Sequence, residues 1–119
     1  YPNAILTLNS AFYYYGLTDT IPDHYYVATP KSNRKIEDVR VKQIYENSNA
    51  FEMGKTTIEY DGVDITIYNE ERLLIELIRN KRKFSFDLYK EIISNYRKLM
   101  KIKKMKKILL VLQKMEHIV

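Results

Sequence analysis

Apolar residues recur at Ile5, Leu8, Phe12 and Tyr15, with Ala4 and Ala11 alongside, and this spacing of three to four predicts a helix over residues 3–15. Pro2-Asn3 supplies its start and Gly16 its stop. Residues 17–22 read as a turn, and Pro22-Asp23 bends the chain into a short strand over 25–28 that Pro30 ends. Residues 31–38 are polar and unperiodic, which predicts an exposed loop. β-favouring segments follow at 39–45, 51–53, 56–60 and 63–68, separated by turns at 47–49 and 54–55. Between the last two, Tyr60-Asp61-Gly62-Val63 is a hairpin signature, because a type I′ turn needs positive φ at both central positions. In the last strand Val63, Ile65 and Ile67 define an apolar face, opposite Asp64, Thr66 and Tyr68.

From residue 69 the period becomes helical. Asn69 caps a helix with Glu70 and Glu71 in its first turn and a buried stripe of Leu73, Leu74, Leu77 and Ile78. Ser85 caps the next, where Phe86, Tyr89, Ile92, Ile93, Tyr96 and Met100 share a face. The run Ile108-Leu109-Leu110-Val111-Leu112 fits a strand or a helix, and its lysine-rich flanks favour a final helix over 104–114 with Met105, Ile108, Leu109, Leu112 and Met115 inward. The expected fold is α+β: an N-terminal helix, a small, mostly antiparallel sheet, then about three C-terminal helices. It forms one domain over 1–119, with its sheet-containing part at 1–68 and its helical part at 69–119.

Composition narrows the chemistry. With no cysteine, disulfides, zinc-thiolate and iron–sulfur sites and a cysteine nucleophile are excluded, which fits a reducing, cytoplasmic setting. The longest apolar run has five residues, far short of the roughly 18–20 that span a bilayer, so no membrane partner is expected. The first 15 residues lack the basic start of a signal peptide, and the opening Tyr1-Pro2-Asn3, without an initiator methionine, reads as that of an excised or processed piece.

Charge is uneven. The net of +5 divides into −3 over residues 1–68 and +8 over 69–119, with twelve basic against two acidic side chains between Arg79 and Lys107. Such a density either coats solvated helix faces or attracts a polyanion. The candidate nucleic-acid contacts are Arg79, Lys81, Arg82, Lys83, Lys103, Lys104, Lys106 and Lys107. Of the 11 tyrosines, three are consecutive at 13–15 and point around about 200° of a helix, so they cannot share one ligand; most read as half-buried residues with wet hydroxyls.

Catalytic signals are poor. His24 and His117 belong to no spaced metal motif and read as surface or capping residues, and three glycines make no phosphate-cradling loop. Asp23, Glu52 and Lys55 come nearest to a nuclease metal site, but two residues separate Glu52 from Lys55, which sends them to opposite faces of a strand. No catalytic residue, metal or cofactor is assigned. Arg72–Glu76 and Glu76–Arg79 sit at i,i+4 and i,i+3, and as exposed pairs each would contribute only a few tenths of a kcal/mol, anchoring a helix to the sheet.

Two longer segments carry more. Ser10-Ala11-Phe12-Tyr13-Tyr14-Tyr15-Gly16-Leu17-Thr18-Asp19 continues through Ile21-Pro22 to Tyr26-Val27-Ala28-Thr29-Pro30. Later, Gly62-Val63-x-Ile65-x-Ile67-Tyr68 leads into Glu71-Arg72-Leu73-x-x-Glu76-x-Ile78-Arg79. Together these blocks, covering residues 10–80, resemble the abortive-infection type IV antitoxin family, AbiEi. The matching residues are Ser10, Gly16, Leu17, Thr18, Pro22, Pro30, Glu71, Arg72, Glu76 and Arg79; Leu73 stands where the family usually has Thr, and Glu76 where Asp is frequent.

The resemblance implies the antitoxin domain of a bacterial toxin–antitoxin system whose toxin is a nucleotidyltransferase, counteracted without a stable complex. It also implies a preceding winged-helix domain that binds operator DNA and represses the operon; here that domain would lie before Tyr1. The alternatives are a nucleotide- or nucleic-acid-processing enzyme domain and a structural module that orients the DNA-binding domain.

Overall fold

The computed structural model describes residues 3–118, with side chains to Met115, so Pro2 and the side chain of His117 lie outside the described residues. Strands β1 (Ile5–Leu6), β2 (Tyr25–Pro30), β3 (Val41–Glu46), β4 (Lys55–Tyr60) and β5 (Val63–Tyr68) form one sheet in the order β3-β2-β1-β5-β4. Helices α1 (Leu8–Tyr14), α2 (Ser48–Phe51), α3 (Glu70–Arg79) and α4 (Phe86–Ile118) are interspersed, with a 3₁₀ turn at Lys81–Lys83. The α+β expectation holds, but the sheet is mixed rather than mostly antiparallel: β1–β5 and β2–β3 are parallel, β1–β2 and β4–β5 antiparallel.

The central strand is the shortest. Ile5 and Leu6 are phased for a helix, yet they pair with Ala28 and Val27 on one side, and Leu6 with Ile67 on the other. Sheet pairing that leaves Ile5 wholly buried outweighs the local helical pattern. The chain then turns into α1 within two residues, with Leu8 at a φ of 43° and Thr7 N donating to Tyr26 O at 3.0 Å. β1 thus joins two strand pairs that would otherwise be separate ribbons.

The parallel pair β2–β3 is connected by residues 31–40 without a helix. This loop is not wholly exposed: Ile36 is buried, and its backbone N donates to Gln43 Oε1 at 2.7 Å. Gln43 Nε2 in turn donates to Thr29 Oγ1 at 2.8 Å, fastening the loop across both strands. Residues 51–53 are not a strand either. Asn47 O accepts from Ala50 N and Phe51 N, closing the single turn of α2, and Phe51 enters the core beneath Tyr68, whose hydroxyl donates to Phe51 O at 2.7 Å.

Elsewhere the turns and caps follow their local chemistry. Asp61 and Gly62 both have positive φ, 50° and 79°, at the tip of the β4–β5 hairpin. Asn69 Oδ1 accepts from Arg72 N at 2.9 Å, and Ser85 Oγ from Leu88 N at 3.2 Å. Burial along β5 is graded rather than alternating, from exposed Val63 to fully buried Ile67 and Tyr68, because its far end is covered on both faces. On α3, Leu73 and Leu77 are buried whereas Ile78 is exposed, so the packed stripe is narrower than its sequence implied. The core centres on Phe12, whose ring meets those of Phe84 and Tyr96 edge-on at 6.0 and 6.4 Å.

The two final helices expected from sequence are one. No glycine or proline falls within α4, and its many lysines are good helix formers, so the helix continues for 33 residues. Its first half packs through Ile92 and Tyr96, and Tyr96 donates its hydroxyl to Glu70 O at 3.0 Å. Beyond Lys103 every described side chain is exposed. Met105, Ile108, Leu109, Leu112 and Met115, expected inward, are each at least half exposed; with Ile102 they form one stripe along a projecting helix. Removing residues 105–119 is therefore expected to shift the melting temperature by no more than about 3 °C, since exposed positions contribute little; a fall beyond about 10 °C would show that the stripe carries part of the core. No helix among the described residues is long and apolar enough to cross a membrane.

Candidate anion-binding surface

The site begins at the buried polar core of α3. Arg72 and Glu76 are not an exposed pair: both are buried, with Arg72 Nε 3.2 Å from Glu76 Oε1. One Arg72 NH group donates to the carbonyls of Met53, at 2.7 Å, and Ala50; the other faces Glu46 at 3.5 Å. The guanidinium carbon lies 4.2 Å from the centre of the Tyr68 ring. Burial, and next to it the charge of Glu76, raises the Glu46 carboxyl above its ordinary range, while Arg72 pulls it back. Burial also pushes the Tyr68 phenol up to about 12. This cluster fixes α3 to α2 and β3, a stronger anchor than the helix-face network expected from spacing alone.

Glu76 also holds Arg79, at 2.9 Å, and Arg79 is itself largely exposed. The helix ends one residue later, where Asn80 Nδ2 and N both donate to Glu76 O at 2.7 and 3.0 Å. Lys83 N then donates to Asn80 O at 2.8 Å, forming the 3₁₀ turn. On its far side Phe84 reaches the ring of Phe12. Lys81, Arg82 and Lys83 are thereby displayed, exposed, on a turn pinned at both ends, and none of them forms an ion pair among the described residues. A shallow groove of about 450 Å³ runs along Ile78–Lys83. It continues, through Lys81 and Arg82, into a second of about 470 Å³ lined also by Phe84, Phe86 and Tyr89.

The other basic candidates lie elsewhere. Lys103 is engaged with Glu70, a hydrogen bond that raises its pKa, so its charge is already compensated. Lys104, Lys106 and Lys107 are exposed, but 18 to 21 residues into α4 they stand roughly 30 Å from its start, and Lys106 points away from Lys104 and Lys107. The basic stretch thus divides into a compact patch at Arg79–Lys83 and a separate set on the projecting helix.

The first family-like block is structural. Ser10 Oγ donates to His24 O at 3.2 Å and accepts from Tyr26 N at 2.9 Å, tying α1 to β2. Gly16, at a φ of 73°, ends the helix, and Leu17 O accepts from Asn95 Nδ2 at 2.8 Å. Thr18 donates its hydroxyl to Glu91 of α4. Pro30 closes β2, Pro22 lines two shallow clefts of about 250 and 330 Å³ beside α1, and Glu71 is exposed. In the second cleft His24 Nδ1 lies 3.1 Å from Asp23 Oδ2. No group of three or more His, Cys, Asp or Glu among the described residues could hold a metal ion, and Glu52 simply pairs with Lys55 at 3.5 Å.

Sequence reasoning missed the aromatic members of the surface. Phe86 and Tyr89 share helical spacing with Ile92 and Tyr96, yet Phe86 is 77% exposed, whereas Tyr89 is half-buried. Their proximity to Lys81-Arg82-Lys83 was the available signal. Compared with known proteins, the chain matches no protein-family model and no curated protein sequence.

Proposed function

We propose that this domain is the antitoxin portion of a bacterial type IV toxin–antitoxin system, counteracting a nucleotidyltransferase toxin without holding it in a stable complex, and that it touches nucleic acid through Arg79–Lys83. In this reading it belongs to a cytoplasmic autorepressor whose operator-reading winged helix is a separate domain. The resemblance over residues 10–80 supports the family. One observation supports the contact: three uncompensated cations displayed on a turn that Asn80 and Phe84 hold rigid. A turn whose backbone is already held loses no backbone entropy when phosphates replace the counterions of its side chains.

The test is K81E/R82E/K83E in the full-length protein, with rescue of toxin-expressing cells and nucleic-acid affinity against salt as readouts. Rescue is expected to fail, and the dependence of log affinity on log salt to flatten by about 2–3, since each phosphate contact contributes roughly 0.7–0.9. Unchanged rescue together with an unchanged slope would overturn the role of the turn.

A further inference from the structure

The groove beside the basic turn has a composition that duplex contacts do not require. Its floor is Phe84, fastened to the core, and its rim is Phe86 and Tyr89 on adjacent turns of α4. Lys81 Nζ lies 5.4 Å from the centre of the Tyr89 ring, and Lys90 Nζ lies 6.0 Å from that of Phe86. A single exposed phenylalanine needs no explanation on a protein surface. Phe86 differs in that it is 77% exposed beside a second aromatic, and both rings stand next to cations that no carboxylate compensates. Asp87, the one acidic residue between Arg79 and Lys90, lines neither groove.

We infer that this groove binds single-stranded nucleic acid, with one or two unpaired bases stacked on Phe86 and Tyr89 and the adjoining phosphates on Lys81, Arg82 and Lys83. In a duplex the base faces are occupied by their neighbours, so exposed rings contribute nothing there; in a single strand every base offers a π-face. The cations near the rings strengthen the same contact by holding the backbone alongside. An acidic protein segment would meet the lysines but would leave the paired rings without a partner of matching shape. The inference rests on the reading of the basic turn as a nucleic-acid contact and specifies the strand state that the turn engages.

The chain contains no tryptophan, so F86W places a single indole at the rim. The probes are a 12-nucleotide single strand and a duplex of the same length and sequence, each labelled and titrated with this 119-residue chain. F86A, at a position outside the core, is expected to keep the melting temperature and weaken single-strand binding about tenfold, a loss within the range for one stacked base, while duplex binding stays unchanged. F86W is expected to retain single-strand affinity, with its fluorescence quenched on binding. K81E/R82E/K83E is expected to weaken both probes. If F86A binds the single strand as the parent does, or F86W is not quenched, the stacking site is wrong while the charged contact stands. If the charge reversal changes neither probe, the nucleic-acid reading fails as well.

Discussion

Replacing Arg72 with methionine is expected to cost the domain about 3–5 kcal/mol, the penalty for removing one partner from a buried ionic cluster. Methionine fills most of the space but leaves the carbonyls of Ala50 and Met53 without their donor, and Glu46 and Glu76 without the cation between them. Urea unfolding at neutral pH is the measurement. Lysine should recover only part of the loss, since a point charge cannot reproduce the guanidinium fork that serves two carbonyls and two carboxylates. The sign of the pH effect separates this cause from lost packing. In R72M the upward push of burial and of Glu76 on the Glu46 carboxyl is no longer opposed by Arg72, so stability should return as pH falls into the ordinary carboxylate range and disappear again as it rises. Adding E46Q and E76Q should restore most of the stability at pH 7. A loss that ignores both acidification and the paired amides would place the role of Arg72 in its stem and not in its charge.

That cluster shows where the sequence was legible and where it was not. Arg72 and Glu76 are four apart on a helix, so their pairing could be read, but spacing says nothing of burial, and the groups that meet Arg72, the Tyr68 ring and the carbonyls of Ala50 and Met53, come from other parts of the chain. Glu46 has no local signal at all, because β3 reaches α3 only through the sheet. The hairpin at Asp61-Gly62 and the caps at Asn69 and Ser85 were legible because their chemistry lies within four residues. The two-residue strand Ile5–Leu6 was not, because its pairing depends on Ala28 and Ile67, far along the chain. The same limit applies to the surface. Charge density announced a basic stretch, yet only the turn at Asn80 and the straight course of α4 separate Lys81–Lys83 from Lys104, Lys106 and Lys107. Helical periodicity likewise puts Phe86 on the face of buried Ile92 and Tyr96 without showing its exposure, because a period cannot report that a helix begins before its neighbours do.

Gly54→Ala is expected to be the most damaging of the three glycine-to-alanine changes, costing about 2–4 kcal/mol from left-handed strain together with overpacking. Gly54 has a φ of 83°, and an added Cβ would lie 2.6 Å from Arg72 Cβ and 3.0 Å from Asn69 Oδ1. Neither neighbour can give way cheaply. Arg72 Cβ belongs to the backbone-proximal stem of a buried side chain, and Asn69 Oδ1 is the atom that caps α3. Moving Gly54 instead would break its carbonyl's hydrogen bond from Asn69 N at 2.7 Å. The internal controls are Gly16→Ala and Gly62→Ala, which have comparable φ, 73° and 79°, and open space around the new methyl. They should cost only about 1 kcal/mol, the backbone strain alone. Thermal unfolding of the three variants side by side separates the two contributions. Equal losses at all three would mean that φ decides and that the close approach of Gly54 to Arg72 is immaterial. A larger loss at Gly54 alone, reduced when Arg72 is also replaced by glycine, which unlike alanine removes the Cβ, would show that the glycine is required because the Arg72 stem passes over it, and so link the β4 turn to the charged cluster of α3.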